Sequence, residues 1–144
     1  MTLHSAYDPD NIFAKILRGD MPSVKVFEDD VALGFMDVFP QTEGHTLVIP
    51  KQVTARNFLD LPSEKLGAYM LRVQRIAQAI EASLKPDGII LSQFSGAPAG
   101  QTVFHLHFHI LPRWEGKRLS GHASGEMADM QVLQTLADKI KAAL

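Results

Sequence analysis

Three of the chain's six histidines fall at alternate positions of one apolar run, His105-Leu106-His107-Phe108-His109-Ile110-Leu111. In a strand, successive side chains point to opposite faces, so the three imidazoles share one face and Phe104, Leu106, Phe108 and Ile110 the other. A wet strand face is ordinarily filled with Thr, Lys, Glu and Ser, and three imidazoles there point to a site. Imidazole ligates metals, attacks electrophiles and moves protons near neutral pH, which leaves metal and metal-free chemistry both open. Zinc holds nitrogen ligands at about 2.0–2.1 Å, whereas the Cα atoms of His105 and His109 on one strand stand roughly 13–14 Å apart. Two neighbouring histidines can converge on a metal, and a complete site then needs a further ligand such as His45, His122 or a carboxylate.

The loop before this run, Ser95-Gly96-Ala97-Pro98-Ala99-Gly100-Gln101-Thr102, is built of small residues and hydrogen-bonding side chains. Such a loop lets backbone N–H groups approach an anion closely, with Gln101 and Thr102 as added donors. A phosphate beside a nucleophile is the chemistry this combination predicts.

The elements that must position these groups follow from the rest of the chain. At 144 residues, with 46% hydrophobic and 21% charged residues, it is one domain of ordinary size with a real core. The formal net charge of −2 offers no general attraction to nucleic acid, and the absence of cysteine excludes disulfides and thiolate metal sites. No membrane span or signal segment is visible, and a cytoplasmic protein is expected. After a loose arm over residues 1–10, Asp10 or Asn11 caps a short helix over 12–18 that Gly19 stops. Strands are expected over 24–28, 31–38 and 45–49, the first two forming a hairpin around Asp29-Asp30. From Ser63, the residues Leu66, Met70, Val73, Ala77, Ile80 and Leu84 mark one stripe of a long helix that Pro86-Asp87-Gly88 ends. A fourth strand over 88–94 and the histidine strand over 103–111 complete the sheet. A polar loop over 114–125 leads to a last helix with Met130, Leu133, Leu136, Ala137, Ile140 and Leu144 on its stripe. This is one α+β domain, 1–144, and two long helices leave room for a homodimer contact.

The histidine run, with Gly100-Gln101-Thr102 before it and Pro112-Arg113 after it, resembles the His-φ-His-φ-His-φ-φ signature (φ apolar) of the histidine triad family. Ile12-Phe13-Ala14-Lys15-Ile16 and Gly19-Asp20-Met21-Pro22 resemble its opening helix and turn. Phe35-Met36-Asp37-Val38-Phe39-Pro40-Gln41 and Gly44-His45-Thr46-Leu47-Val48-Ile49-Pro50-Lys51 resemble its second block, so the likeness spans about residues 11–113.

The resemblance implies an antiparallel five-stranded sheet with one long central helix, a short N-terminal and a C-terminal helix, and a homodimer whose sheets join. It implies hydrolysis or transfer at the α-phosphorus of a nucleoside phosphate, purine preferred, through a nucleotidyl-histidine and without a cofactor. By position His107 is the nucleophile, its other nitrogen donating to the His105 carbonyl, with His109 and His45 completing the polar shell. Gln101 and Thr102, with Ser95 and Gly100 of the same loop, are expected at the phosphoryl oxygens. Asp37 is expected at the ribose, and Ile12, Phe13, Phe35 and Val38 around the base. Read without the family, Asp37 is a turn carboxylate after a strand, and Phe13 and Phe35 are core residues in any fold. Ser95 stands where relatives carry Asn. Many members also hold a structural zinc through two cysteines and further histidines; Asn11 and Ala14 occupy the cysteine positions here and Lys51-Gln52-Val53-Thr54 lacks the histidine, so that metal is expected to be absent. Dinucleoside polyphosphate hydrolysis, a metal-dependent histidine site and a non-catalytic nucleotide-binding regulator remain open alternatives.

Overall fold

The computed structural model describes residues 3–120 and 126–144. Helix α1 (Ile12–Arg18) starts where the Asn11 side chain accepts from the Ala14 N–H at 2.9 Å and ends at Gly19, which adopts φ 82°. Strands β1 (Lys25–Glu28) and β2 (Ala32–Met36) form a hairpin in which Asp29 Oδ1 accepts from the N–H groups of Val31 and Ala32. Strand β3 (Thr46–Pro50), helix α2 (Ser63–Leu84), strands β4 (Gly88–Ser92) and β5 (Phe108–Arg113) and helix α3 (Met130–Ala142) follow. The sheet is antiparallel throughout, in the order β1-β2-β3-β5-β4.

Alternation in the strands gives the sheet two apolar faces. One carries Val26, Ala32, Val48, Phe108 and Ile110 against Tyr69, Val73, Ile76 and Ile80 of α2 and Leu133, Leu136 and Ile140 of α3. Each such aliphatic side chain contributes about 1.5–3 kcal/mol on full burial. Gly34 permits the close approach of α2, since a Cβ there would stand 2.9 Å from Ile76 Cδ1. The opposite face carries a smaller core of Leu33, Phe35, Leu47 and Ile49, on which Phe13 of the seven-residue α1 packs, with Ile16, Leu17 and Val103 at its margin. His109 pairs with Leu47 across β3 and β5, which places it on this second face.

Several expected boundaries move. The histidine strand begins at Phe108, not 103, so His105 and His107 precede it in irregular chain. The reason is local: the Leu106 N–H donates to the Ala55 carbonyl at 2.9 Å, and the His105 carbonyl is taken by a histidine ring, so neither can join a ladder. Phe104, expected in the core, is half-buried under the Arg56 guanidinium at 4.1 Å. Strand β4 stops at Ser92, and the buried face of α2 is Tyr69, Val73, Ile76, Ala79 and Ile80, turned from the expected stripe, whose Leu66, Met70, Ala77 and Leu84 sit at its margin. Of the stripe expected on the last helix, Met130 is exposed, and Leu144, also exposed, lies beyond the end of α3. The arm over residues 3–10 is not loose, because Leu3 and Tyr7 make specific contacts. The last part of the loop over 114–125, with His122, lies outside the described residues.

Candidate active site

Between α1 and the second core runs a slot of about 450 Å³, a size typical of small-molecule sites. Its apolar walls come from Ile12, Phe13 and Ile16 on α1 and from Phe35, Val38 and Leu47, and Asp37, Thr102, His107 and His109 supply polar groups. The slot thus brings together Ile12, Phe13, Phe35, Val38, Asp37, Thr102, His107 and His109, eight of the residues expected at the site. Met21, Ser23, Met127 and Met130 also line it and were not foreseen. Nothing near Met127 in the sequence signals the contact, which depends on the Ala128 N–H reaching the Val38 carbonyl at 2.8 Å. Ser23 Oγ is buried and has no hydrogen-bond partner among the described residues.

The histidine tautomers follow from their partners. His107 Nδ1 lies 2.7 Å from the His105 carbonyl oxygen, which only accepts. The proton of the neutral ring is therefore on Nδ1 and the lone pair on Nε2. His45 is the reverse case: its Nδ1 accepts from the Gln41 N–H at 3.1 Å, so its proton is on Nε2. That proton points to His109 Nδ1 at 3.0 Å, with Asp37 Oδ2 at 3.5 Å. His109 consequently keeps its own proton on Nε2. Two imidazoles packed edge to face at 4.9 Å are thus set in opposite senses, His107 with a lone pair and His109 with an N–H.

The donor atoms of Asp37, His45 and His109 lie within 4.8 Å of one another and could also receive a metal ion. A cation there would have to replace the hydrogen bond between the two rings. The structural zinc suggested by the family does not fit its expected place: the Asn11 oxygen is engaged as the cap of α1, and Ala14 offers no ligand atom.

The loop over 95–102 differs from the expected anion cradle. It folds as a short 3-10 turn, Ala97–Ala99, whose neighbouring N–H groups close on its own carbonyls: Ala99 and Gln101 donate to Gly96, and Gly100 to Ala97. Gly100 adopts φ 109° with the Phe94 ring behind it, a conformation that suits glycine. Gln101, expected at the phosphoryl oxygens, is turned inward. Its Oε1 accepts from the Gly96 N–H at 2.8 Å, and its Nε2 donates to the carbonyls of Arg56 and Val103 at 2.7 and 3.1 Å. Ser95 donates to Gln93 Oε1 at 3.1 Å. Of this loop, Thr102 is the residue that lines the slot.

His105 lies behind His107, fully buried. Burial, partly opposed by the bond to the Pro50 carbonyl and reinforced by His107, lowers its pKa from 6.5 to about 4. The fold therefore holds this ring neutral while the unfolded chain protonates it. Stability gains nothing from this above pH 6.5, declines as the pH falls from 6.5 towards 4, and loses about 3 kcal/mol in all, with no further loss from this group below that. Urea unfolding at pH 7 and pH 4.5 is expected to show the decline, and His105→Asn to flatten it.

The likeness to known proteins agrees with this geometry. A family model described as HIT domain matches residues 18–116. The chain is 45% identical over 103 residues to Protein hit of Bacillus subtilis, covering 72% of this chain and 70% of that one. A crystal structure of a HIT-like protein involved in cell-cycle regulation from Bartonella henselae, with an unknown ligand, superposes with TM-score 0.90 at 48% identity, over 97% of this chain and all of the other. A hypothetical histidine triad nucleotide-binding protein from Sulfolobus tokodaii gives TM-score 0.81 at 30% identity over 91% and 89% of the two chains. A zinc-bound histidine triad protein from Mycobacterium smegmatis gives 0.78 at 36% over 93% and 92%. With its sheet order, its three ordered histidines and matches of this extent, the chain belongs to the histidine triad, or HIT, family.

Proposed function

We propose that the protein binds a nucleoside phosphate in the slot and cleaves it at the α-phosphorus, at a P–N or P–O bond, through a covalent nucleotidyl-His107. The observation that carries this is the His107 ring, held by its Nδ1–H on the His105 carbonyl at 2.7 Å so that the nucleophilic lone pair is on Nε2 of a ring lining the apolar slot. In the first step Nε2 forms a bond to phosphorus while the leaving group departs with the electrons of its own bond and takes up a proton. In the second, water attacks the same phosphorus, the P–Nε2 bond breaks, neutral imidazole returns, and a nucleoside monophosphate and a proton leave. His109, donating from Nε2, and Thr102 are the groups in the lining that can stabilise charge gathering on the phosphoryl oxygens. Asp37 serves the ribose hydroxyls, and the Phe13 and Phe35 rings, 5.4 Å apart, enclose the base.

The nucleotide-binding relative from Sulfolobus tokodaii supports the ligand class. The apolar walls support a purine base. A homodimer joined through β4 is part of the same reading: that strand is an edge of the sheet, and Ile89, Ile90 and Leu91 are exposed along it beside Leu71 of α2. The zinc-bound relative favours a second reading, in which Asp37, His45 and His109 hold a catalytic metal. A hydrolysis screen of nucleoside phosphoramidates, adenylated lysine, dinucleoside polyphosphates and sulfonucleotides, read by mass spectrometry with and without phenanthroline, separates the two. Turnover is expected to survive the chelator. Loss that zinc restores would move the chemistry to the metal reading, and no turnover of any substrate would leave a binding protein.

A further inference from the structure

The ring that sets the nucleophile is itself held from outside the triad. His105 Nε2 lies 3.3 Å from the Pro50 carbonyl, an acceptor, so the proton of this neutral ring is on Nε2 and its Nδ1 carries a lone pair. The Tyr7 hydroxyl stands 2.6 Å from that nitrogen, with the two rings edge to face at 5.7 Å. Burial raises the Tyr7 phenol pKa, so the hydroxyl keeps its proton and donates. Three hydrogen bonds meet at one residue: Tyr7 O–H donates to His105 Nδ1, His105 Nε2–H donates to the Pro50 carbonyl, and His107 Nδ1–H donates to the backbone carbonyl of the same His105.

The segment that delivers Tyr7 is fastened at both ends. The Asn57 amide, fully buried, donates to the Leu3 carbonyl at 2.9 Å, and the Leu3 side chain lies against Gly96, where a Cβ would meet Leu3 Cδ2 at 3.0 Å. At the other end Arg18 donates to the Pro9 carbonyl at 2.6 Å, and Asn11 to the Asp8 carbonyl at 2.8 Å. The segment lies ahead of residues 18–116, the stretch matched by the family model. We propose that Tyr7 is a positioning residue for catalysis: its hydroxyl locks the tautomer and ring orientation of His105, and through the His105 carbonyl it holds His107 in its attacking orientation.

Remove the hydroxyl and the His105 lone pair loses its donor, so the ring is free to exchange tautomers or turn over. The carbonyl beneath His107 then loses its fixed direction. The rate arm of the test rests on the hydrolase reading given above, whereas the tautomer arm does not. In the full chain, Tyr7→Phe is expected to lower kcat about three- to tenfold, the worth of one hydrogen bond, with KM for the nucleotide unchanged. Long-range proton–nitrogen correlation spectra should show His105 protonated on Nε2 alone in the parent and mixed in Tyr7→Phe. Tyr7→Ala should match Tyr7→Phe in kcat and in the spectrum while melting lower, because only the hydroxyl acts on catalysis. An unchanged His105 spectrum in both variants overturns the proposal. So does a kcat that stays at the parent level in Tyr7→Phe and falls only with the melting temperature in Tyr7→Ala, which would make the residue a structural staple. A parent enzyme with no turnover removes the hydrolase reading and leaves the spectrum to decide.

Discussion

His107→Ala is expected to lower turnover by on the order of 10⁴-fold or more and to erase the covalent adduct altogether. The ring is mostly buried and its Nδ1–H is committed to the His105 carbonyl, so the lone pair on Nε2 is the feature a mutation removes. No neighbour can take over: His109 holds its proton on Nε2 and accepts on Nδ1 from His45 at 3.0 Å. Intact-mass measurement after rapid quench should show one nucleotidyl group on the parent and none on the variant. With a chiral phosphate the parent should give net retention at phosphorus, from two inversions. Activity should also fall on the acid side, because a protonated imidazole has no lone pair to offer. Net inversion without an adduct would mean that water attacks directly.

Gln101→Leu should cost both stability and rate, whereas Thr102→Ala should cost rate alone. The Gln101 amide ties its own loop, at Gly96 and Val103, to the segment at Arg56, and removing it strips partners from the Gly96 N–H and from the Arg56 and Val103 carbonyls. The two buried ones, the Gly96 N–H and the Arg56 carbonyl, cost about 1–3 kcal/mol each when left in that state, so a loss of about 2–6 kcal/mol is expected. Such a loss lowers the melting temperature by about 10 °C in a domain of this size. The loop that feeds Thr102 and the histidines would drift with it, and kcat/KM should fall about 10²-fold or more. Thr102 is exposed in the slot, so its alanine variant should melt within about 1 kcal/mol of the parent while losing about 10²–10³ in kcat. Calorimetry with steady-state kinetics on both variants checks the contrast. A Gln101→Leu protein that melts like the parent yet loses rate would return this side chain to the substrate.

How much of this was legible in the sequence depends on the range of the forces involved. Helix α1 was readable because its cap, its apolar residues and Gly19 are neighbours in the chain. The existence and length of α2 were readable from period, but not which flank it buries, since that depends on Gly34 of β2 admitting Ile76. The three histidines stood out as a site on composition alone, although the strand argument that first joined them holds only for His109. His105 and His107 owe their burial to the bend before Phe108, created by the Ala55 carbonyl and the His105 carbonyl finding partners off the sheet. The loop over 95–102 misled for a related reason: small residues make N–H groups available, and only the folded turn shows that they close on themselves. Tyr7 and Met127 meet the site across most of the chain's length, and no local pattern marks them.

The second face of the sheet has a consequence for the protein's life in a cell. Its core of Phe13, Leu33, Phe35, Leu47 and Ile49 lies under a helix of seven residues and is continuous with the slot through Phe13, Phe35 and Leu47. A purine seated there would act as a missing piece of interior, and by mass action an occupant at a hundred times its Kd adds about 2.7 kcal/mol to the folding free energy. Under the proposed function, chains that hold a nucleotide would then survive proteolysis longer than empty ones, and the amount of this protein would rise and fall with its ligand.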